Sequence, residues 1–452
     1  MAATNHELEL QYFRDTLESF DGYAQYHLSA NHTRRMNMLT LPKDQRALLT
    51  EIGYKDKLDA VDEGIRRNAE FLDEIYNSGA SPFMGSARPS ARSAMTPQIV
   101  DEDLETFRAS PTLPHQRDGG HSHSHSTPHS HSHAHNHGAA STPQLISTNP
   151  PTTTTLNAKQ RSTLRQMIRD WSEAGAAERE KTYKPCLDAV EEHFSHIPEE
   201  DRLVYLAVQS SLAGLRYLWR HRSSVKVLVP GAGLGRMALE FAQRGFAAQG
   251  NEFSAHMLIM SNWVLNESSQ IGQYQIFPNL HSFSNHLTTH EHLLRSYLVP
   301  DVLPGQLLGP NSDFSFVAGD FEEVYGGRSD DGSWVDIPAD QAGQWGAVVT
   351  CFFLDTARNI INYLKIIKGL LRPDGVWVNV GPLLWHWENV QDKERGEGSI
   401  ELSLDEVKDL ARKMGFEINN ERLDRATYTG DPDTMLRSEY QVSSNWTILY
   451  FL

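Results

Sequence analysis

Residues 225–229, VKVLV, run without a break into Pro230-Gly231-Ala232-Gly233-Leu234-Gly235, and that loop runs into the apolar-striped stretch Met237–Arg244. β-branched apolar residues favour an extended strand, and apolar positions three and four apart favour a helix. Between them only glycine allows so abrupt a turn, because a Cβ would hinder both the left-handed backbone and the close approach of the chain to a nucleotide-like ligand. A strand, a glycine turn and a helix in immediate succession place the chain in the α/β class. Further strands are expected at AAQGN (247–251), FSFVAGD (314–320), WGAVVTCFF (345–353), VWVNVG (376–381) and NWTILYFL (445–452). Their alternation with helical stretches predicts a Rossmann-like, parallel, doubly wound sheet with ligand sites at the carboxyl ends of the strands.

A glycine loop alone says little about the ligand. Glu252, however, stands 21 residues after Gly231 at the end of the next strand, where a carboxylate can accept hydrogen bonds from both ribose hydroxyls. The dinucleotide fingerprint would want a third glycine at Arg236, and the G-x-G-x-G rhythm resembles instead that of Rossmann-like methyltransferases that use S-adenosylmethionine. An NAD oxidoreductase is therefore disfavoured, all the more because no hydride-transfer acid is evident. Val229 departs from that pattern, since an acidic residue usually begins it, and another group must then hold the methionine end of the cofactor. Asp320 and Phe321, in AGDF, reach the sheet edge after a later strand. There the carboxylate suits the adenine amino group and the Phe321 amide a ring nitrogen; taken alone, a turn aspartate capping the next segment is an equal reading.

Composition removes other classes. The net charge of −17 opposes a phosphate backbone, so a nucleic-acid partner is not expected. No apolar run approaches a bilayer span, and the start, MAATNHELELQYF, has neither the basic opening nor the apolar block of a secretory signal. Cys186 and Cys351 are the only cysteines, which points to a reducing compartment, cytosol or nucleus.

Residues 1–76 read as helical, with apolar positions at Leu8, Leu10, Tyr12, Phe13, Leu17, Ile65, Ala69, Leu72 and Ile75. Residues 77–156 change to Ser, Pro, Thr, Gly and His and read as a disordered insertion. It contains HSHSHSTPHSHSHAHNH (121–137), with eight of the 21 histidines. Such a tract can bind zinc, nickel or copper loosely, but a low-complexity spacer is the simpler reading and no metal site is expected. Residues 157–452 then form a helical lead-in, with helices expected at 157–180, 183–194 and 201–220, followed by the Rossmann-like domain.

The runs LRQMIRDWSEAGAAERE, VLVPGAGLGRMALEFAQRGFAAQGNEFS, FPNLHSFSN, AGDFEEVY, TCFFLDTARNIINYL and GPLLWHWEN, in this order, resemble the carnosine N-methyltransferase family, also called N2227-like. The resemblance covers nearly all of residues 157–450 and leaves out the His-rich insertion. It implies methylation of the imidazole of carnosine at the nitrogen nearer the backbone, giving anserine, by a homodimer. It also implies a cofactor shell of Gln166, Arg169, Gly231, Glu252, Asp320, Phe321 and Cys351. Gln166 and Arg169 share one helix face, and Arg169 suits the cofactor carboxylate, which would answer the missing acid at Val229. Without the resemblance both read as solvent-facing helix polar residues.

Imidazole must meet the methyl with an unprotonated nitrogen, so the protein has to choose its tautomer. Asp355, in CFFLDTARN, is the candidate catalytic residue: a carboxylate taking N–H from the far ring nitrogen frees the near one and stabilises the imidazolium that develops. The competing reading is a helix N-cap before TARNIINYL. The resemblance implies substrate contacts from His386, Tyr428 and Tyr440, with Phe352 lining the same pocket, and Ser438 departs from an aromatic family position. Two other readings stay open: methylation of histidine within peptides or proteins, and a cofactor-binding protein without activity.

Overall fold

A computed structural model describes residues 5–84, 153–197, 222–309, 312–327, 337–388 and 398–449. The His-rich tract, most of the 77–156 insertion and the helix expected over 201–220 lie outside the described residues.

The chain opens with four helices, α1 (Asn5–Asp21), α2 (Tyr23–Leu39), α3 (Lys43–Glu51) and α4 (Tyr54–Met84). After the insertion come α5 (Thr153–Trp171) and α6 (Ala176–His193). Helix thus extends past residue 76 at one end of the insertion and begins before 157 at the other. The first strands follow as β1 (Lys226–Pro230), β2 (Ala247–Glu252), β3 (Tyr274–Ile276), β4 (Tyr297–Val299) and β5 (Phe314–Ala318). The last four are β6 (Trp345–Cys351), β7 (Leu371–Gly381), β8 (Phe416–Ala426) and β9 (Tyr440–Leu449). Helices α7 (Arg236–Gln243), α8 (Ala255–Asn262), α9 (Phe321–Tyr325), α10 (Ile360–Leu370) and α11 (Leu404–Lys413) cross between strands.

The main sheet runs β5-β2-β1-β6-β7-β9-β8. Its first five strands are parallel, as the alternating pattern implies, whereas β9 pairs antiparallel with both β7 and β8. The expected parallel, doubly wound sheet is thus present in these five strands, and an antiparallel strand is added at one edge. β8 is not legible in the sequence because FEINNERLDRA is mostly exposed and polar along its length, so it has no apolar alternation to detect.

β6 is buried at every residue, as befits a central parallel strand covered on both faces. Side chains alternate between two cores: Val227, Val229, Ala347 and Val349 pack with α6 and α7, while Leu228 and Val348 pack with α9, α10 and α11. A third core joins Leu17, Phe20, Ile65, Leu72 and Ile75 of the amino-terminal helices to Leu164, Met167 and Trp171 of α5 and to Met257 and Met260 of α8. The amino-terminal helices therefore hold α5 against the carboxyl end of the sheet. Two hydrogen bonds complete this docking, from Trp171 Nε1 to the Leu234 carbonyl at 3.1 Å and from the Arg236 guanidinium to the Asp170 carbonyl at 3.0 Å. Arg236, which stands where a dinucleotide site would have glycine, is thus a latch between α5 and the loop; it also pairs with Asp301 at 2.7 Å.

Candidate active site

Gly231, Gly233 and Gly235 have φ of +65°, +56° and +84°, values that cost any residue with a Cβ. Gly231 is also closed by contact, since a Cβ there would lie 2.5 Å from Phe353 Cδ2. Gly233 faces outward to α5, where the nearest atoms to such a Cβ are Gln166 Nε2 at 3.4 Å and Asp170 Oδ2 at 3.7 Å.

Glu252 closes the loop from β2. Its Oε1 accepts the Phe253 and Ser254 amides at 2.9 and 2.8 Å, and Oε2 accepts the Gly233 amide at 2.9 Å. A carboxylate has about four acceptor positions, so the geometry leaves Oε2 room for one further donor rather than the pair of hydroxyls the sequence suggested. Burial raises the Glu252 pKa while those amides oppose the rise. Close by, the Tyr12 phenol of α1 is pushed up to about 12 by burial and by the Glu252 charge, and it accepts a 3.0 Å bond from Lys159 of α5.

At the end of β5, Asp320 caps α9, with Oδ1 accepting the Glu322 and Glu323 amides at 2.8 and 3.3 Å. The turn reading therefore describes its structural work. The Phe321 ring packs edge-on to Phe353 and Tyr363, and Phe353 in turn borders Gly231 of the loop. Cys351 ends β6 as a buried free thiol, and it and Cys186 both point at the Thr182 carbonyl, at 3.7 and 3.4 Å.

Arg169 is not a free clamp. Its Nε is 2.8 Å from Glu178, one terminal nitrogen is 3.4 Å from Asp170 and donates to Tyr183 at 3.0 Å, and the other reaches Thr182 at 3.5 Å. Its plane also lies 4.8 Å from the Tyr428 ring centroid and 5.8 Å from that of Phe352. Neither Gln166 nor Arg169 is solvent-facing, at 3% and 5% exposed. Asp170 is fully buried, with Oδ1 accepting from Tyr183 at 2.7 Å and Oδ2 from Gln166 at 3.3 Å. The carboxylate absent at Val229 is thus present beside Gly233, supplied by α5. Nothing in the local sequence marks Asp170, because its place depends on α5 crossing a loop some sixty residues away in the chain.

Asp355 lies in a short turn after β6, 3% exposed. It caps no long helix: α10 is capped by Asn359, whose side chain accepts the Ile361 amide at 3.0 Å. Asp355 Oδ2 instead accepts the Leu384 amide at 2.8 Å, and its carbonyl accepts the His386 amide at 3.1 Å. Burial raises the carboxyl from 3.8 to about 7, against the pull of the Leu384 amide. The His386 ring is held neutral by burial, which lowers its pKa to about 4, and its Nδ1 is buried without a hydrogen-bond partner among the described residues.

Phe352 has φ of +53°, a strained backbone for an aromatic residue and a recurrent mark of functional positions. The twist sends Phe353 to Tyr363 and Phe321 on one side, and Phe352 to Tyr428 (5.0 Å) and Tyr440 (6.1 Å) on the other. Asp355 lies near enough to Tyr440 to raise its phenol, after burial. Asp355, Phe352, Tyr428 and Tyr440 therefore converge, with Cys351 and Arg169 behind Phe352, and His386 joins them through Asp355. Ser438 is exposed and takes no part in the ring cluster.

Glu178 carries no mark in the sequence that singles it out. Its carboxylate pairs with Arg169 and accepts from the Thr429 amide, the Thr427 hydroxyl and the Gly430 amide at 2.9, 3.0 and 3.2 Å. One side chain of α6 thus fastens the loop bearing Tyr428 to the arginine beneath it, across 249 residues of chain.

A family model described as carnosine N-methyltransferase matches residues 147–214 and 199–450. The carnosine N-methyltransferase of Mus musculus is 40% identical over 284 residues, 63% of this chain and 61% of the relative, so the aligned chain spans about three fifths of that protein. That of Dictyostelium discoideum is 30% identical over 438 residues, 96% of this chain and 75% of the relative. Among solved structures, an S-adenosylmethionine-dependent methyltransferase from Methanosarcina mazei aligns to 54% of this chain and 99% of its own, with 13% identity and a TM-score of 0.32. On the family match and the relative aligned along almost the whole length, the chain belongs to the carnosine N-methyltransferase family.

Proposed function

We propose that the protein transfers a methyl group from S-adenosylmethionine to the imidazole of carnosine, producing anserine. The observation that carries this reading is a buried carboxyl, Asp355, raised to about 7, which acts on the Tyr440 phenol of the Phe352, Tyr428 and Tyr440 cluster and whose carbonyl holds the His386 amide. The residues around the glycine loop suit the cofactor. The open acceptor position on Glu252 Oε2 fits a ribose hydroxyl, and the Asp170 carboxylate beside Gly233 fits an α-ammonium group. Asp320 and the buried Phe321 bound the adenine end.

The cofactor supplies an electrophilic methyl on a sulfonium. The protein's part is to orient a neutral imidazole and handle one proton. Phe352, Tyr428 and Tyr440 offer an apolar slot that fixes the ring plane, which lowers the entropy of reaching an in-line geometry. A carboxylate at Asp355 accepts the N–H of the far ring nitrogen, which leaves the near lone pair exposed, and its charge then stabilises the imidazolium. With its pKa near 7, Asp355 is substantially ionised at neutral pH and able to take that proton. Burial keeps His386 neutral, so its Nδ1 adds a hydrogen bond without a competing charge.

Incubation with labelled S-adenosylmethionine and a panel of carnosine, homocarnosine, free histidine and histidine-containing peptides tests the reading. Label is expected on the imidazole of carnosine; absence of transfer to any imidazole refutes it. Transfer to internal histidines of peptides as efficient as to carnosine would replace it by a peptide methyltransferase. The two free thiols suit the cytosolic or nuclear setting we infer.

A further inference from the structure

Arg161, Arg165 and Arg169 follow one another at four-residue intervals along α5, so their side chains share one face, each one turn from the next. Arg169 is held by Glu178, Asp170 and Tyr183. Arg161 and Arg165 have no hydrogen bond or ion pair with any of the described residues. Both are half-buried, and for Arg165 burial is the largest influence, lowering its pKa, with the neighbouring Arg161 acting in the same direction. A guanidinium taken partly out of water without a counter-charge costs free energy that an anionic ligand would offset.

Few nearby groups could serve as that counter-charge. Asp431 is the carboxylate that acts on Arg165, but its Oδ2 is already 2.9 Å from both His292 Nε2 and Asn279 Nδ2. On the side of α2, the rings of His27 and His281 lie 4.5 Å apart, and the Tyr23 hydroxyl is 2.6 Å from His281 Nε2. Burial and Arg161 keep both histidines neutral, His27 at about 3. They bring no negative charge, and His27 Nε2 is buried without a hydrogen-bond partner among the described residues.

The place of this pair relative to the ring slot follows from one loop. Tyr428 stacks on Arg169, and Asp431, three residues later, is close enough for its charge to act on Arg165. The loop therefore runs beside α5, and Arg165 stands one turn, about 5–6 Å along the axis, from the arginine beneath the Tyr428 ring.

We propose that Arg161 and Arg165 form a carboxylate-recognition site flanking the imidazole slot, selecting substrates whose histidine carries a free α-carboxylate. The proposal rests on the imidazole-methylating reading above and deepens it. Arginine presents a planar fork that meets a carboxylate with two parallel hydrogen bonds, and in carnosine the carboxylate is one side-chain length from the ring. A histidine inside a peptide chain has an amide at that position, so the pair would favour the dipeptide over protein histidines.

The test compares carnosine with its C-terminal amide, by calorimetry on the full-length chain saturated with S-adenosylhomocysteine, and by label transfer in parallel. Wild type is expected to bind the acid about tenfold more tightly than the amide or better, the scale of a charge-assisted contact. Arg165→Gln and Arg161→Gln are each expected to bring that ratio towards one, and Arg165→Lys, which keeps the charge and loses the fork, to retain part of it. Equal binding of acid and amide by wild type, binding of neither, or a ratio that survives both glutamine variants overturns the proposal. Discriminating binding without label transfer would refute methylation and leave the carboxylate site standing. Equal transfer to acid and amide would do the reverse. Thermal melts identify a variant that fails to fold, in which case the other arginine carries the comparison.

Discussion

Replacing Asp355 by asparagine keeps the shape and the acceptor for the Leu384 amide while removing the only charge the turn can carry. The fold raises this carboxyl from 3.8 to about 7 by burial, so the folded state favours the neutral form. Its contribution to stability is complete below pH 3.8 and is lost as the pH rises through 7. At 1.36 kcal/mol for each pH unit between the two values, the ionised side chain costs the wild type about 4 kcal/mol above pH 8 and roughly 2 kcal/mol at pH 5. Asparagine escapes this cost. Asp355→Asn should therefore melt higher than wild type at pH 8, by on the order of 5–10 °C, with the gap narrowing towards pH 5. The same variant should lose turnover of carnosine by on the order of a hundredfold or more, since it cannot accept the imidazole proton. In the wild type, kcat at saturating substrate should fall as the pH drops through about 7, and residual turnover in the variant should lack that limb. Calorimetric melts at three pH values and initial rates with labelled cofactor decide the matter. A variant that is less stable at pH 8, or a stability gap that does not change with pH, refutes the burial argument; wild-type turnover refutes the catalytic one.

Glu178→Ala should free the Tyr428 loop and leave Arg169 short of one counter-charge, raising KM for carnosine about tenfold and lowering stability by about 2 kcal/mol; steady-state rates and melts check both. Gly231→Ala should weaken S-adenosylhomocysteine binding more than Gly233→Ala in calorimetry, because the first Cβ meets Phe353 at 2.5 Å while the second has no contact nearer than 3.4 Å. Asp170→Asn should reduce cofactor affinity by at least tenfold if its carboxylate holds the ammonium group, and an unchanged affinity would remove it from that role. Phe352→Gly should relieve the left-handed strain at φ +53° and still raise KM for carnosine, since the ring and not the backbone forms the slot.

The departure of Val229 from the expected acid points towards α5, and Gln166 of that helix does come to Gly233, whereas Arg169 lies instead beside the Tyr428 and Phe352 rings. What they do there is not written in the helix that carries them. Arg169 is bound up with Glu178 and Asp170, and the carboxylate nearest Gly233 is Asp170, a residue that the sequence offers only as one more acid in a helix. The Asp355 helix-cap reading fails for a local reason: Asn359, one turn closer to α10, takes the cap. Asp320 shows the opposite outcome, since its capping role is plain and its place at the edge of β5 is equally so.

By itself the sequence determined what neighbouring residues dictate to one another. The strand, glycine turn and helix at 225–244, the acid ending β2 and the buried run of β6 all follow from short-range patterns of apolar residues and glycine. Tertiary structure decided whatever depends on segments far apart in the chain. It set α5 across the glycine loop, tied the Tyr428 loop to α6 through Glu178, and placed β9 antiparallel between β7 and β8 at the sheet edge. It also left Arg161 and Arg165 without an ion pair or hydrogen bond among the described residues. A side chain's partners, and so the charge it carries and the ligand it can hold, depend on which distant residues share its desolvated space, and periodicity along the chain holds no record of that.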